Sequence, residues 1–164
     1  MYLRDCWYVA GWSKQIGQRL TPVRMLGDDI VLYRTSTGEI GALEDACPHR
    51  KLPLSKGSLR NDTVVCGYHG LTFNHHGACV AAPTQERIPT GAAVRRYPAI
   101  ERYGFVWLWM GAADQADGSK LIQIENYGAP GWGRTEGGDM PIACNYLYIV
   151  DNLLDPAHVA WVHV

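Results

Sequence analysis

Between Cys47 and His69 the chain sets out two short segments of like composition: Cys47-Pro48-His49, then sixteen residues, then Cys66-Gly67-Tyr68-His69-Gly70. Each segment supplies one thiol and one imidazole, and the mixed set of two sulfur and two nitrogen donors is what a [2Fe-2S] cluster needs when two cysteines bind one iron and two histidines the other. Structural zinc accepts the same four residues. Zinc fingers, however, usually pair cysteine with cysteine and histidine with histidine, the latter one helical turn apart, whereas Pro48 and Gly67 favour tight loops. Cys47, His49, Cys66 and His69 therefore fit a diiron cluster better, with zinc as the alternative.

Composition bounds what surrounds those loops. With 47% apolar and 19% charged residues the chain reads as an ordinary globular protein, and 164 residues allow one full domain and the beginning of another. A net charge of -1 predicts no nucleic-acid partner and no membrane affinity. The longest apolar run, Phe105 to Met110, is far shorter than the roughly twenty residues a bilayer requires. The segment Met1-Tyr2-Leu3-Arg4-Asp5 lacks the basic-then-apolar pattern of a secretory signal, so a cytoplasmic protein is expected. Of five cysteines, Cys6, Cys79 and Cys144 are left outside the cluster, an odd and widely spaced set read as small buried hydrophobes rather than a disulfide framework.

From Trp7 to about Leu108 short apolar or alternating runs are punctuated by turn residues, the signature of a small β-domain. Asp29 to Arg34 and Ile40 to Leu43 read as one hairpin across Thr37-Gly38. Leu71 to Asn74 and Ala78 to Ala81 read as another across His75-His76-Gly77. Phe105 to Met110 is apolar throughout, as expected of a strand covered on both faces, with Trp107 and Trp109 on one side. Residues 83 to 98 show no period and predict a loop. Past Met110 the chain turns small and polar, and five glycines lie between Gly128 and Gly138, which is linker composition. A domain boundary is placed near residue 118, giving domains 1–118 and 119–164.

Near the end, Leu147, Val150, Leu153 and Leu154 recur at helical spacing until Pro156 interrupts them, and Asp155 before that proline suits the cap of a new short helix. On an unbroken helix His158 and His163 would point about 140° apart, so both can face one metal only if the segment turns or ends near Trp161. Taken alone, the spacing Asp155-x-x-His158-x-x-x-x-His163 is a weak signal.

These residues resemble the oxygenase components of Rieske non-haem iron oxygenases, in particular the group containing vanillate O-demethylase, dicamba O-demethylase and toluenesulfonate methyl-monooxygenase. The likeness runs from Cys6-Trp7-Tyr8-Val9-Ala10 through Cys47-Pro48-His49-Arg50 and Cys66-Gly67-Tyr68-His69-Gly70 to Asp151-Asn152-Leu153-Leu154-Asp155. Rieske proteins of respiratory complexes are similar but carry a further cysteine in each loop. Here Leu52 follows His49 by three and Gly67 follows Cys66, which points to the oxygenase or ferredoxin branch.

The resemblance implies a mainly β Rieske domain, an antiparallel sandwich with cluster-binding loops, followed by the start of an α+β helix-grip catalytic domain. It implies that the loop of residues 83 to 98 wraps the cluster region. It implies a Rieske [2Fe-2S] cluster on Cys47, His49, Cys66 and His69, and a mononuclear Fe(II) held by His158 and His163. Asp155 would bridge an iron histidine to a Rieske histidine of the neighbouring subunit, and Asn152 would be a nearby polar residue that is not a ligand. The third iron ligand has no place here, because only Val164 follows His163, and neither Asp151 nor Glu136 stands at the family position. The chain is thus expected to be the amino-terminal portion of a larger oxygenase. Implied partners are a reductase or ferredoxin electron donor, O2 and a small aromatic substrate, in a cyclic homotrimer. Arg50, Lys51, Lys56 and Arg60 could dock an acidic ferredoxin domain. A Rieske ferredoxin-type electron carrier without its own substrate is the rival expectation.

Overall fold

The alternating and apolar runs become β1 (Trp7–Trp12), β2 (Thr21–Met25), β3 (Asp28–Arg34), β4 (Ile40–Glu44), β5 (Ser58–Arg60), β6 (Thr63–Val65), β7 (Thr72–Phe73), β8 (Cys79–Ala81), β9 (Ala99–Arg102) and β10 (Phe105–Trp109). This computed structural model describes residues 2–83, 85–135 and 137–163, so Glu136 lies outside the described residues. Two units are distinguished, 1–125 and 126–164. All ten strands belong to the first, in antiparallel sheets ordered β1-β10-β9, β2-β3-β4 and β5-β6-β7-β8.

The middle sheet explains the architecture. Along β3 the side chains alternate: Val31 and Tyr33 join a core with Leu43, Leu54, Val64 and Phe73, whereas Ile30 and Leu32 join a second core with Ala42, Val106, Leu108 and Met110. A strand buried on both faces needs apolar residues at successive positions, as Ile30 to Tyr33 supply. The β3–β4 hairpin forms as its turn signal predicts, with Ile30 opposite Glu44 and Arg34 opposite Ile40. Strand β2 has no clear sequence signal because Pro22 interrupts it, yet it pairs with β3 as an outer strand, where a missing N–H is tolerated.

Strand β10 sends Val106 and Leu108 into the second core, which Met110 just past the strand joins, and Phe105, Trp107 and Trp109 to its other face. Trp7 packs edge-on to Trp109 at 5.5 Å, and Trp12 lies 4.3 Å from Phe105. Composition reads the chain after Met110 as a linker. Instead it straps this aromatic face: the Trp7 indole donates to the Asp117 carbonyl and the Trp109 indole to that of Ala112, both at 2.8 Å. Lys120 Nζ stands 5.4 Å from the Trp109 ring, and Leu121 is buried. Trp109 is fully buried and Trp7 half-buried, so both indoles need acceptors for their N–H groups, and the polar strap supplies them.

In the second unit Asn145 caps α1 (Tyr146–Leu154) by accepting from the Leu147 N–H at 3.0 Å. The helix stops at Asp155, whose carboxylate accepts from the Ala157 N–H at 3.2 Å and so starts a 3-10 turn over Pro156–His158. A last short helix, α2 (Val159–Val162), ends at His163. Among the described residues no helix is long and apolar enough to cross a membrane.

Candidate metal centre

Two loops of identical hydrogen-bonded frame carry the four candidate cluster residues. In the first, leaving β4, the Cys47 N–H donates to Leu52 O at 2.9 Å and the Lys51 N–H returns to Cys47 O at 2.8 Å. In the second, leaving β6, the Cys66 N–H donates to Leu71 O at 2.8 Å and the Gly70 N–H returns to Cys66 O at 3.0 Å. Each frame closes through a left-handed residue four places past its cysteine, Gly70 at φ 75° and Lys51 at φ 57°. Gly70 advertises that turn in the sequence and Lys51 does not, because lysine reaches positive φ only at a cost that the surrounding frame must offset. Gly67 is needed for closeness instead: a Cβ there would stand 3.2 Å from Lys56 O, on the segment that follows the first loop.

The frames sort the donors by depth. Cys47 and Cys66 are each 2% exposed and belong to the first core, whereas His49 is exposed and His69 half-buried. The imidazoles face each other with ring centres 4.5 Å apart, and Tyr68 stacks on His69 at 4.0 Å. Burial pushes the Cys47 thiol up, and the adjoining Cys66 thiol, hydrogen-bonded to it, adds to the rise, while the N–H groups of His49 and Arg50 pull the other way. Those N–H groups are poised to stabilise a thiolate sulfur. The donors thus come as a sulfur pair inside and a nitrogen pair outside. The arrangement fits a [2Fe-2S] group with thiolates on an inner iron and imidazoles on an outer one.

Residues 85 to 98 form a loop that reaches this rim. Gln85, Pro89, Thr90, Gly91 and Ala92 line, with Pro48, His49 and Leu71, a cleft of about 520 Å³. The loop is stitched down by Val94 N–H to Gly77 O at 2.9 Å and Glu44 N–H to Arg95 O at 2.8 Å. Arg50, Lys51, Lys56 and Arg60 are all exposed around the first loop. His75 is half-buried and His76 exposed at the tip of the β7–β8 hairpin. Of the remaining cysteines Cys79 is buried, Cys6 half-buried and Cys144 exposed, so the expectation of small buried hydrophobes suits Cys79 and does not describe Cys144.

The break at Asp155 and the end of α2 bring His158 and His163 together, with ring centres 5.4 Å apart. His158 Nδ1 lies 2.5 Å from Asp155 O, which as a carbonyl can only accept, so the ring proton sits on Nδ1 and the Nε2 lone pair is left for a ligand. Asn152 and Asp151 are exposed on the last turn and a half of α1. Sequence reasoning missed two residues beside the cluster loops, buried Asp45 and its partner Ser55. Neither belongs to a donor motif, and only the fold shows that they meet.

A protein whose small β-domain presents such paired loops is an iron-sulfur protein of the Rieske type. Residues 6–98 match the Rieske [2Fe-2S] domain, and the chain belongs to that family. Residues 142–164 match the vanillate O-demethylase oxygenase C-terminal domain. The toluene-4-sulfonate monooxygenase system iron-sulfur subunit of Comamonas testosteroni is 43% identical over 164 residues, covering 99% of this chain and 47% of the relative. The vanillate O-demethylase oxygenase subunit of a Pseudomonas strain is 37% identical over 163 residues, covering 99% and 46%. The crystal structure of dicamba monooxygenase bound to dicamba superposes with a TM-score of 0.91 at 37% identity, over 99% of this chain and 48% of that one. The chain therefore spans just under half the length of these relatives.

Proposed function

We propose that the chain is the cluster-bearing portion of the oxygenase component of a Rieske non-haem iron monooxygenase, which hydroxylates or O-demethylates a small aromatic acid with O2 and electrons from a reductase or ferredoxin. The observation that carries this reading is the duplicated loop frame, with Cys47 and Cys66 dry and His49 and His69 at the rim. When bound, the cluster would supply one-electron storage and a mononuclear iron the site at which O2 is used. The protein's part is to hold two thiolates away from water, aim two imidazoles outward, and keep the Nε2 of His158 available beside His163. Cys47, His49, Cys66 and His69 would hold the cluster and His158 and His163 the Fe(II). Asp155 would link them across neighbouring subunits of a homotrimer, with Asn152 as a nearby polar group. The cluster domain would give way to the catalytic domain between residues 118 and 125, and the third iron ligand would come from chain beyond this segment.

The names of the relatives support an aromatic carboxylate or sulfonate bearing a methyl or methoxy group as substrate. The full-length protein, reconstituted with a reductase and a methoxybenzoate, should bind about three iron atoms per chain, show the reduced-state paramagnetic signal of a mixed-ligand cluster, and release formaldehyde in step with O2 uptake. About two iron atoms per chain, with the cluster signal and no O2 uptake, would favour a ferredoxin-type carrier. Zinc without acid-labile sulfide would overturn both.

A further inference from the structure

The two cysteines come from different sheets. Cys47 follows β4 of the middle sheet and Cys66 follows β6 of the outer one, and the strand ladders of the described residues do not join these sheets. Something else must set the separation of the two loops. Buried Asp45, just past β4, accepts from the Ser55 N–H and the Ser55 hydroxyl, each at 2.6 Å. Ser55 lies in the 3-10 turn Leu54–Lys56 between the first loop and β5. That turn ends on Gly57, where a Cβ would stand 2.0 Å from Val65 O, immediately before Cys66. The Asp45 carboxylate therefore holds the turn, and from Gly57 to Val65 backbone touches backbone with no side chain between to give way.

The far end of the same seam carries a matching clamp. There Asp62 accepts from the Ser36 N–H at 2.7 Å and from its hydroxyl at 2.5 Å, joining the β5–β6 turn to the β3–β4 turn. The two clamps share their chemistry and differ in place: one adjoins Cys47, the other lies at the opposite ends of β4 and β6.

The geometry points to Asp45 as a positioning residue that fixes the spacing of the Cys47 and Cys66 loops, and through it the retention and reduction potential of the cluster. This rests on the [2Fe-2S] reading. Two acceptor oxygens serve two donors, whereas an asparagine in its place keeps one acceptor oxygen and can meet the Ser55 hydroxyl through its amide only by reversing that bond, which replaces two charge-assisted bonds by neutral ones. Asp62 serves as an internal control of the same bond type.

The test uses the full-length holoprotein. Asp45→Asn should lose iron to a chelator roughly 10–100-fold faster than wild type, as expected when an outer partner of a metal site is removed. Its reduction potential should rise, because an anion near the cluster has been removed and the reduced cluster is the more negative state. Its paramagnetic spectrum should change with the altered loop spacing. Asp62→Asn should lower thermal stability while leaving potential and spectrum as in wild type. Ser55→Ala keeps the carboxylate and removes one donor, so it should speed iron loss and change the paramagnetic spectrum without raising the potential, and it carries the test if Asp45→Asn does not fold, a wild-type rate and spectrum then overturning the assignment. Asp45→Asn with wild-type potential and spectrum, or equal shifts in Asp62→Asn, would overturn the assignment. A wild-type protein with no acid-labile sulfide would instead overturn the cluster reading beneath it.

Discussion

Adding a single methyl group at Gly41 should disrupt the core beneath the metal loops. Gly41 lies directly across from Tyr33 in the β3–β4 ladder, and a Cβ there would stand 2.3 Å from Cζ and 2.6 and 2.7 Å from Cε1 and Cε2 of the ring. Ordinary contact begins at 3.4 Å, so the ring must retreat by more than 1 Å. It has nowhere to go, being fully buried among Val31, Leu43, Val64 and Phe73. Overpacking of this kind costs about 1–3 kcal/mol. The loss of glycine's freedom in the unfolded chain returns about 0.4–1 kcal/mol, which leaves Gly41→Ala destabilised by about 1–2 kcal/mol. Gly17→Ala, with nothing within 4 Å of its Cβ, is the control and should change stability by less than about 0.5 kcal/mol. Urea unfolding in wild-type and Tyr33→Leu backgrounds closes the cycle: with the ring gone, most of the Gly41→Ala penalty should vanish, a coupling of about 1 kcal/mol or more. An equal penalty in both backgrounds would refute the steric argument.

Four further outcomes are expected. The Tyr33 hydroxyl is buried without a hydrogen-bond partner among the described residues, and burial raises its pKa to about 12, so Tyr33→Phe should leave urea stability unchanged or raise it by about 1 kcal/mol. Asp28 is held below the usual carboxylate range first by the hydrogen bonds from Arg4, at 2.8 and 3.1 Å, with the Tyr97 hydroxyl and Arg95 adding to the effect. With its folded pKa depressed, its stabilisation is complete above about pH 4 and is lost as pH falls through the folded value, so wild type and Asp28→Asn should differ at neutral pH and converge in acid unfolding curves. Asp155→Asn in the full-length protein should leave both metals bound by elemental analysis and nearly abolish turnover. Reversing Arg50 and Lys51 to glutamate should slow cluster reduction by an acidic ferredoxin, most at low ionic strength, and stopped-flow rates that stay unchanged would remove the docking idea.

Much of the candidate centre was legible because its residues lie close in sequence and their chemistry is distinctive. The Cys-Pro-His and Cys-Gly-Tyr-His segments name their own candidate donors, and the bend that brings His158 to His163 is written in Asp155-Pro156. The paired hairpins were equally plain, since Thr37-Gly38 and His75-His76-Gly77 mark their turns. What stayed hidden depends on contacts between distant parts of the chain. Strand β2 was masked by Pro22, whose tolerance depends on the strand's place at a sheet edge. The strap over Trp7 and Trp109 looks like linker because its role is carried by backbone carbonyls, which no side-chain pattern reports. Asp45 and Ser55 are separated by the first loop itself, and nothing in either residue type announces a clamp.

The two loop frames are equal in size, yet the histidine stands two residues after the cysteine in one and three in the other. The same scaffold therefore presents its imidazoles from neighbouring rather than equivalent positions, and one ring is open to water while the other is shielded and stacked on Tyr68. A centre mounted in this way is not interchangeable end for end. A one-residue offset thus gives an otherwise repeated motif two unlike edges, one imidazole bare and the other leaning on a tyrosine.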